Sequence, residues 1–343
     1  MTGAAASPAA GRWELFRALG AVAGEPADAR AACTALGWAG PDNASHTEVF
    51  VLNCPPYASV YLGAEGGLGG DAADRAAGFW RAIGIAPPAE PDHLASLLGL
   101  YASLGEAAGD TRTAATADAL TRARHALFWE HLWPWLPGYL HAVADLGAPG
   151  LTPWARLARR ALQAERDAHP GGWLPLALRG APEPGPAGAS LDALLDLLTC
   201  PVRSGFILTR RDLAAGADTA GAGYRIGERR FTLRALLEQA PAGTLSWLAG
   251  QAARWARRHA VPPPRPGGGP RPRDITLAWW ARRAGHTARI LAGTAADAGA
   301  EATKLSASAP AFRPVVKTDG PQSSATRASP RTRSARPSVR RSG

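Results

Sequence analysis

Cysteine and lysine are scarce in this chain, and long apolar runs are missing. The three cysteines, Cys33, Cys54 and Cys200, are far apart and form no C-x-x-C pair. This pattern argues against a disulfide framework and a cysteine zinc site, and it favours a reducing compartment such as the cytoplasm. Since no apolar run approaches the roughly 18 residues that cross a bilayer, no membrane span is predicted.

Strand patterns and export signals are also missing. β-Branched and aromatic residues rarely alternate with polar ones, whereas alanine, the best helix former, is abundant, so the predicted fold class is all-α. Residues 1–12 show no charged segment followed by an apolar one, which predicts that no signal peptide is present. None of the Arg-Arg pairs precedes an apolar stretch near residue 1, so the chain does not resemble a twin-arginine export substrate.

Charge is distributed unevenly along the chain. Residues 1–150 contain 8 arginines and 15 acidic residues, whereas residues 151–293 contain 21 arginines and 10 acidic residues. Residues 294–343 contain 9 basic and 3 acidic residues. Such asymmetry indicates different partners for different parts of the chain. A coding bias that scatters arginine over solvated faces would explain the middle segment equally well.

Apolar spacing and capping residues predict a series of helices. A helix is expected over 71–83, and the next is expected to begin at Pro91, because proline suits the first helical position. Thr152 and Ser190 are expected N-caps of two later helices. Further helices are predicted at about 208–220, 231–239, 242–259 and 274–292.

These elements predict three regions. Residues 10–168 are expected to form a compact multi-helix core, and residues 190–293 a helical extension that packs on this core. Residues 294–343 are rich in Ser, Pro and Arg and have few large apolar side chains. Such a segment buries too little surface to offset its ordering entropy, so we expect a disordered basic tail.

Three short segments occur in a characteristic order. They are Pro56-Tyr57-Ala58-Ser59-Val60-Tyr61, then Glu90-Pro91-Asp92-His93, and then His131-Leu132-Trp133-Pro134-Trp135. Each segment alone has an ordinary structural interpretation; for example, acidic residues in a first helical turn interact well with the helix dipole. Taken together in this order and spacing, over roughly residues 45–165, they resemble the TorD/DmsD/NarJ-type redox-enzyme maturation chaperones.

The resemblance implies a cytoplasmic all-α chaperone that is not an enzyme and has no cofactor of its own. Its partner would be the catalytic subunit of a molybdopterin oxidoreductase, whose twin-arginine leader peptide and apo form it binds until the cofactor is inserted before export. Binding an arginine pair followed by an apolar stretch requires carboxylates, aromatic faces and an apolar groove. The implied peptide-binding residues are Tyr57, Tyr61, Trp80, Glu90, Pro91, Asp92, His93 and Trp133.

Three other functions remain open at this point. Residues 209–237 could form two helices around a Gly-rich turn and contact nucleic acid, together with the basic tail. The arginines of that hypothesis are Arg210, Arg211, Arg229, Arg230 and Arg234. A metalloenzyme would use His125, Glu130, His131 and His141, but their spacing lacks the i,i+4 histidine pair of H-E-x-x-H. No phosphate-binding loop with Lys-Ser/Thr supports nucleotide chemistry.

Overall fold

The computed structural model describes residues 8–169, 171, 173–184, 190–260 and 274–308. Sixteen α-helices and two π-helical turns occur in these residues, and no strand does, so the all-α prediction is confirmed. By contact, residues 1–302 form one compact unit and residues 303–343 a second. The core and the candidate site lie in the first unit.

The helices are numbered in chain order. Their bounds are α1 Pro8–Ala21, α2 Pro26–Ala35, α3 Asn43–Thr47, α4 Ala58–Leu62, α5 Gly70–Ala82, α6 Leu94–Asp110, α7 Ala114–Leu127, α8 Leu136–Asp145, α9 Leu151–Ala168, α10 Leu176–Arg179, α11 Leu191–Thr199, α12 Pro201–Ser204, α13 Arg210–Ala220, α14 Arg229–Gln239, α15 Pro241–His259 and α16 Ile275–Ser308. The π-helical turns are Glu48–Asn53 and Phe128–Leu132. The second of these turns continues α7 towards Trp133, Pro134 and Trp135.

Capping residues explain several helix starts. The Ser190 side chain accepts a hydrogen bond from the Ala193 N–H at 3.1 Å, as predicted for an N-cap. Thr209 and Asp212 form a reciprocal capping box at the start of α13. Because these polar contacts satisfy N–H groups that a helix leaves unpaired, they define where α11 and α13 begin.

Three predicted boundaries are wrong. Helix α6 begins at Leu94 and not at Pro91, because the His93 side chain caps it. Thr152 lies inside α9 and donates to the Ala148 carbonyl, and Gly150 is the N-cap. Helix α16 runs to Ser308, so the tail predicted to be disordered is helical over 294–308, where alanine is abundant. Residues 309–343 of that prediction lie outside the described residues.

The core is rich in tryptophan, and some of its indole N–H groups donate to carbonyl groups of distant segments. Trp154, fully buried on α9, donates to the Leu19 carbonyl at 2.9 Å. Trp280, buried on α16, donates to the Pro134 carbonyl at 2.7 Å. Residues of both predicted regions, 10–168 and 190–293, thus belong to one hydrophobic cluster. A buried indole that keeps its hydrogen bond stabilises the fold through its buried apolar area, and the bond fixes the orientation of the ring.

A buried ionic group joins α1, α6 and α9. Glu165, which is only 4% exposed, accepts hydrogen bonds from Arg12 (Nε to Oε1, 2.7 Å) and from the Tyr101 hydroxyl. Burial, followed by the nearby Glu165 carboxylate, raises the pKa of Tyr101 well above its ordinary value. The carboxylate is therefore paired, as a buried charge must be to avoid a large desolvation penalty.

We expect His259 to make the fold sensitive to acid. It is 5% exposed on α15, between Trp255 and Trp280, and burial lowers its pKa to about 3. The unfolded chain binds this proton below about pH 6.5 and the folded chain does not, so stability present above that pH is lost towards pH 3. His259→Gln should reduce the slope of unfolding free energy against pH by up to about 1.4 kcal/mol per unit between pH 6 and 4. Urea unfolding at several pH values measures this, and identical slopes would contradict it.

Candidate functional site

Two of the segments singled out in the sequence meet at a short antiparallel bridge between Tyr57 and His93. The Ala58 N–H donates to the Asp92 carbonyl at 3.1 Å, and the Leu94 N–H donates to the Pro56 carbonyl at 2.8 Å. This pairing holds the starts of α4 and α6 side by side. The structure thereby brings together residues 34 to 38 positions apart in the chain.

Asp92 is part of the framework of this junction. It is 4% exposed, and its carboxylate accepts a hydrogen bond from the Ser59 N–H, in the first turn of α4, at 2.9 Å. The sequence placed Asp92 among the residues that contact a peptide. The structure instead buries it, because the unpaired N–H groups at the start of α4 need an acceptor.

His93 has a similar structural role. Its Nδ1 accepts a hydrogen bond from the Ala95 N–H at 3.1 Å and caps α6, and its ring contacts Tyr57 edge to face at 4.8 Å. Burial lowers the pKa of His93 below its ordinary value, although Glu90 and Asp92 oppose this shift. The imidazole is therefore uncharged at neutral pH and does not neutralise the carboxylates around it.

We define the acidic surface as five residues at or near the bridge: the exposed Glu25, Ile85 and Glu90 and the half-buried Tyr57 and Trp80. The Tyr57 hydroxyl donates to Glu90 Oε1 at 2.8 Å. Burial, the bond to Glu90 and the carboxylates of Glu90, Asp92 and Glu25 raise the pKa of Tyr57 to about 12. Glu25 and Glu90 are exposed, and neither makes an ion pair with any described residue.

Two apolar side chains complete the acidic surface. Trp80, half-buried on α5, donates its indole N–H to the Pro91 carbonyl at 3.2 Å. Ile85 follows α5, is 43% exposed, and donates its backbone N–H to the Trp80 carbonyl at 3.0 Å. Trp80 is thereby held against the segment that contains Glu90, and Ile85 follows Trp80 closely in the chain.

Two predicted site residues lie elsewhere, inside the protein. Tyr61 is 2% exposed and stacks on Trp135 at 5.2 Å between ring centroids. Trp133 is 1% exposed and donates its indole N–H to Asp274 at 3.1 Å. Both line a small cavity of about 10 Å³. Because no face of either ring is open to a peptide, the structure assigns both to the core.

Two members of the acidic surface were missed by sequence reasoning. Glu25 lies just before α2, and Ile85 lies in the turn after α5. A signal for Glu25 was present, because Glu25-Pro26 repeats the Glu90-Pro91 dipeptide and each precedes a helix start. Nothing in the sequence indicated that the carboxylates of both dipeptides act on the same residue, Tyr57.

The structure uses most of the nucleic-acid hypothesis's arginines in internal contacts. Arg211 and Arg229 donate to the carbonyls of Leu146 and Leu208. Arg230 and Arg234 pair with acidic residues of α11, Asp192 for both and also Asp196 for Arg230. Only Arg210 of the five has no described side-chain partner.

The histidines of the metalloenzyme hypothesis have separate neighbours. His125 contacts His169, His131 contacts Phe79, and His141 contacts Arg159. Among the described residues, no group of three His, Cys, Asp or Glu side chains could hold a metal ion.

Comparison with known proteins gives one finding. Residues 43–140 match the family described as nitrate reductase delta subunit. It is a family of chaperones for the maturation of molybdoenzymes, so the predicted resemblance is confirmed at this level for that part of the chain. The matched residues include Tyr57, Trp80, Ile85 and Glu90, whereas Glu25 lies outside them. No curated protein matches the chain. None of the described helices is long and apolar enough to cross a membrane.

We expect Asp92→Ala to destabilise the fold by about 1–2 kcal/mol, because it leaves the Ser59 N–H without its buried acceptor. Glu90→Ala is the matched control. It removes an exposed carboxylate of the same segment and should change stability by less than about 0.5 kcal/mol. Urea unfolding followed by circular dichroism measures both. Equal stability of the two variants would show that the Asp92 carboxylate is dispensable for the junction.

Proposed function

We propose that this chain is a cytoplasmic chaperone for the catalytic subunit of a molybdopterin-dependent oxidoreductase, and that its acidic surface binds the arginine pair of the subunit's leader peptide. The observation that carries this proposal is a pair of exposed carboxylates, Glu25 and Glu90, which both act on the Tyr57 hydroxyl and have no cationic partner among the described residues. The family match over residues 43–140 supports the class of client.

Electrostatics favours a cationic ligand at this surface. Carboxylates without a cation nearby repel one another, and an arginine between them gains from both. His93, the one basic residue of the bridge, is uncharged at neutral pH because it is buried. Charge-assisted bonds from a planar guanidinium to carboxylates are among the stronger polar contacts available to a peptide.

The carboxylate of Glu90 is also held in place before any ligand arrives. Its Oε1 accepts from the Tyr57 hydroxyl, and the Tyr57 ring is in turn fixed against His93. A preorganised acceptor loses less conformational entropy on binding than a free side chain does. The half-exposed tyrosine ring offers a face on which a second guanidinium could stack.

The apolar part of a leader peptide has a matching contact. Trp80 is bonded to the carbonyl of Pro91, the residue after Glu90, and Ile85, bonded to the Trp80 backbone, leaves 43% of its surface exposed. An arginine pair followed by apolar residues would therefore meet charge first and apolar area next. Asp92 and His93 contribute by fixing the bridge, and Pro91 by accepting the hydrogen bond of Trp80.

Removing both charges should weaken peptide binding. The test uses Glu25→Gln/Glu90→Gln and a synthetic peptide with an Arg-Arg pair before roughly 12 apolar residues. We expect affinity to fall at least about tenfold, which corresponds to about 1.4 kcal/mol, because two charge-assisted contacts become neutral. Calorimetric titration measures affinity, and circular dichroism checks that the variant keeps its helix content.

Two controls make this result specific. Asp110→Asn/Asp118→Asn removes two exposed charges at the end of α6 and in α7 and should leave affinity unchanged. A Gln-Gln version of the peptide should bind the unaltered chain weakly and respond little to salt, since salt screens exposed charges. Equal binding of both peptides, or an equal loss in both double variants, would refute a role for the acidic surface in arginine recognition.

A further inference from the structure

Helix α16 contributes one face to a second, basic site. Trp279, Arg282, Arg283, His286 and Arg289 recur at helical spacing and line an open cavity of about 430 Å³, which Glu183 and Pro184 also line. This volume falls within the range of small-molecule sites. The cavity lies outside the residues that match the chaperone family, and it shares no residue with the acidic surface.

Arg283 carries a buried positive charge at this cavity. Its side chain is 4% exposed, and its guanidinium lies over the Trp279 ring at 4.3 Å. It donates to the Pro182 carbonyl, and its one described acidic partner is Glu183 at 3.3 Å, whose side chain is 90% exposed. Burial lowers the pKa of Arg283 below its ordinary value. A buried cation with so exposed a partner would be stabilised by an anion in the cavity.

Two further arginines face the same space with unused donors. Arg282 and Arg289 are exposed and lie seven residues apart, on one face of α16. Neither makes a side-chain hydrogen bond or ion pair with a described residue. A Cβ added at Gly285 would lie 3.8 Å from Arg289 Nη1, so the Arg289 guanidinium folds back along the helix towards Gly285.

The volume of the cavity indicates the size of the ligand. About 430 Å³ is more than one phosphate group fills, and the Cα atoms of Arg282 and Arg289 are two helical turns apart, roughly 10 Å along the axis. Guanidinium groups bind phosphate oxygens in pairs. Arg283 already covers one face of Trp279, so the cavity recognises charge more than it recognises a ring. We propose that this cavity binds a small anion with two adjacent phosphate groups.

Inorganic pyrophosphate is the probe for this site. In calorimetric titration of the full chain in magnesium-free buffer, we expect binding of one pyrophosphate per chain at this cavity. Arg282→Ala/Arg289→Ala should weaken it at least tenfold, because the two exposed donors are lost. Both residues are exposed, so the variant should fold, and circular dichroism verifies this. Single orthophosphate should bind more weakly than pyrophosphate.

The controls separate a built site from general attraction to a basic chain. Arg112→Ala/Arg122→Ala removes two exposed arginines that do not line the cavity and should leave affinity unchanged. Glu25→Gln/Glu90→Gln should also bind pyrophosphate normally, so failure of the proposed peptide site leaves this test intact. No binding of pyrophosphate, or an equal loss in both arginine double variants, would overturn the proposal.

Discussion

The pairing of residues 56–58 with 92–94 is the constraint on which the candidate site depends. Helices α4 and α6 begin in the protein interior, where unpaired N–H groups are costly. Two backbone hydrogen bonds, the Asp92 carboxylate and the His93 ring satisfy the groups at these starts. The same contacts fix Tyr57 and Glu90 at the surface. Structural capping and ligand presentation are thus performed by neighbouring residues of one segment.

The net positive charge of the chain conceals two surfaces of opposite sign. Around the bridge, the exposed carboxylates Glu25 and Glu90 have no described cationic partner, and burial keeps His93 uncharged. Along α16, Arg282 and Arg289 are exposed beside the buried Arg283. Much of the remaining arginine, including that of α14, is consumed in internal pairs. Local pairing therefore decides which charges are available to a partner, and total charge does not.

Sequence reasoning succeeded where one helix face or one capping residue decides the structure. The helix expected over 71–83 is observed as α5, and Ser190 caps α11. It failed where a side chain is claimed by a distant segment. Asp92 is of a residue type common in the exposed first turn of a helix. In the structure, however, its carboxylate accepts a hydrogen bond from the N–H of Ser59, 33 residues earlier. The sequence predicted that Tyr61 and Trp133 contact a peptide. In the structure both are in the core, where Tyr61 stacks on Trp135 and Trp133 donates a hydrogen bond to Asp274.

The buried cysteines have a practical consequence for studying this protein by spectroscopy. Cys33, Cys54 and Cys200 are all buried, and burial raises the pKa of each thiol above its ordinary value. Thiol reagents attack the thiolate, so in the folded chain all three are protected by both access and protonation. A single cysteine introduced at an exposed position such as Ala27 or Ile85 would then be the preferred attachment point for a fluorophore or spin label. Because the native thiols react slowly in the folded chain, such a label would report on the acidic surface with little signal from the other cysteines.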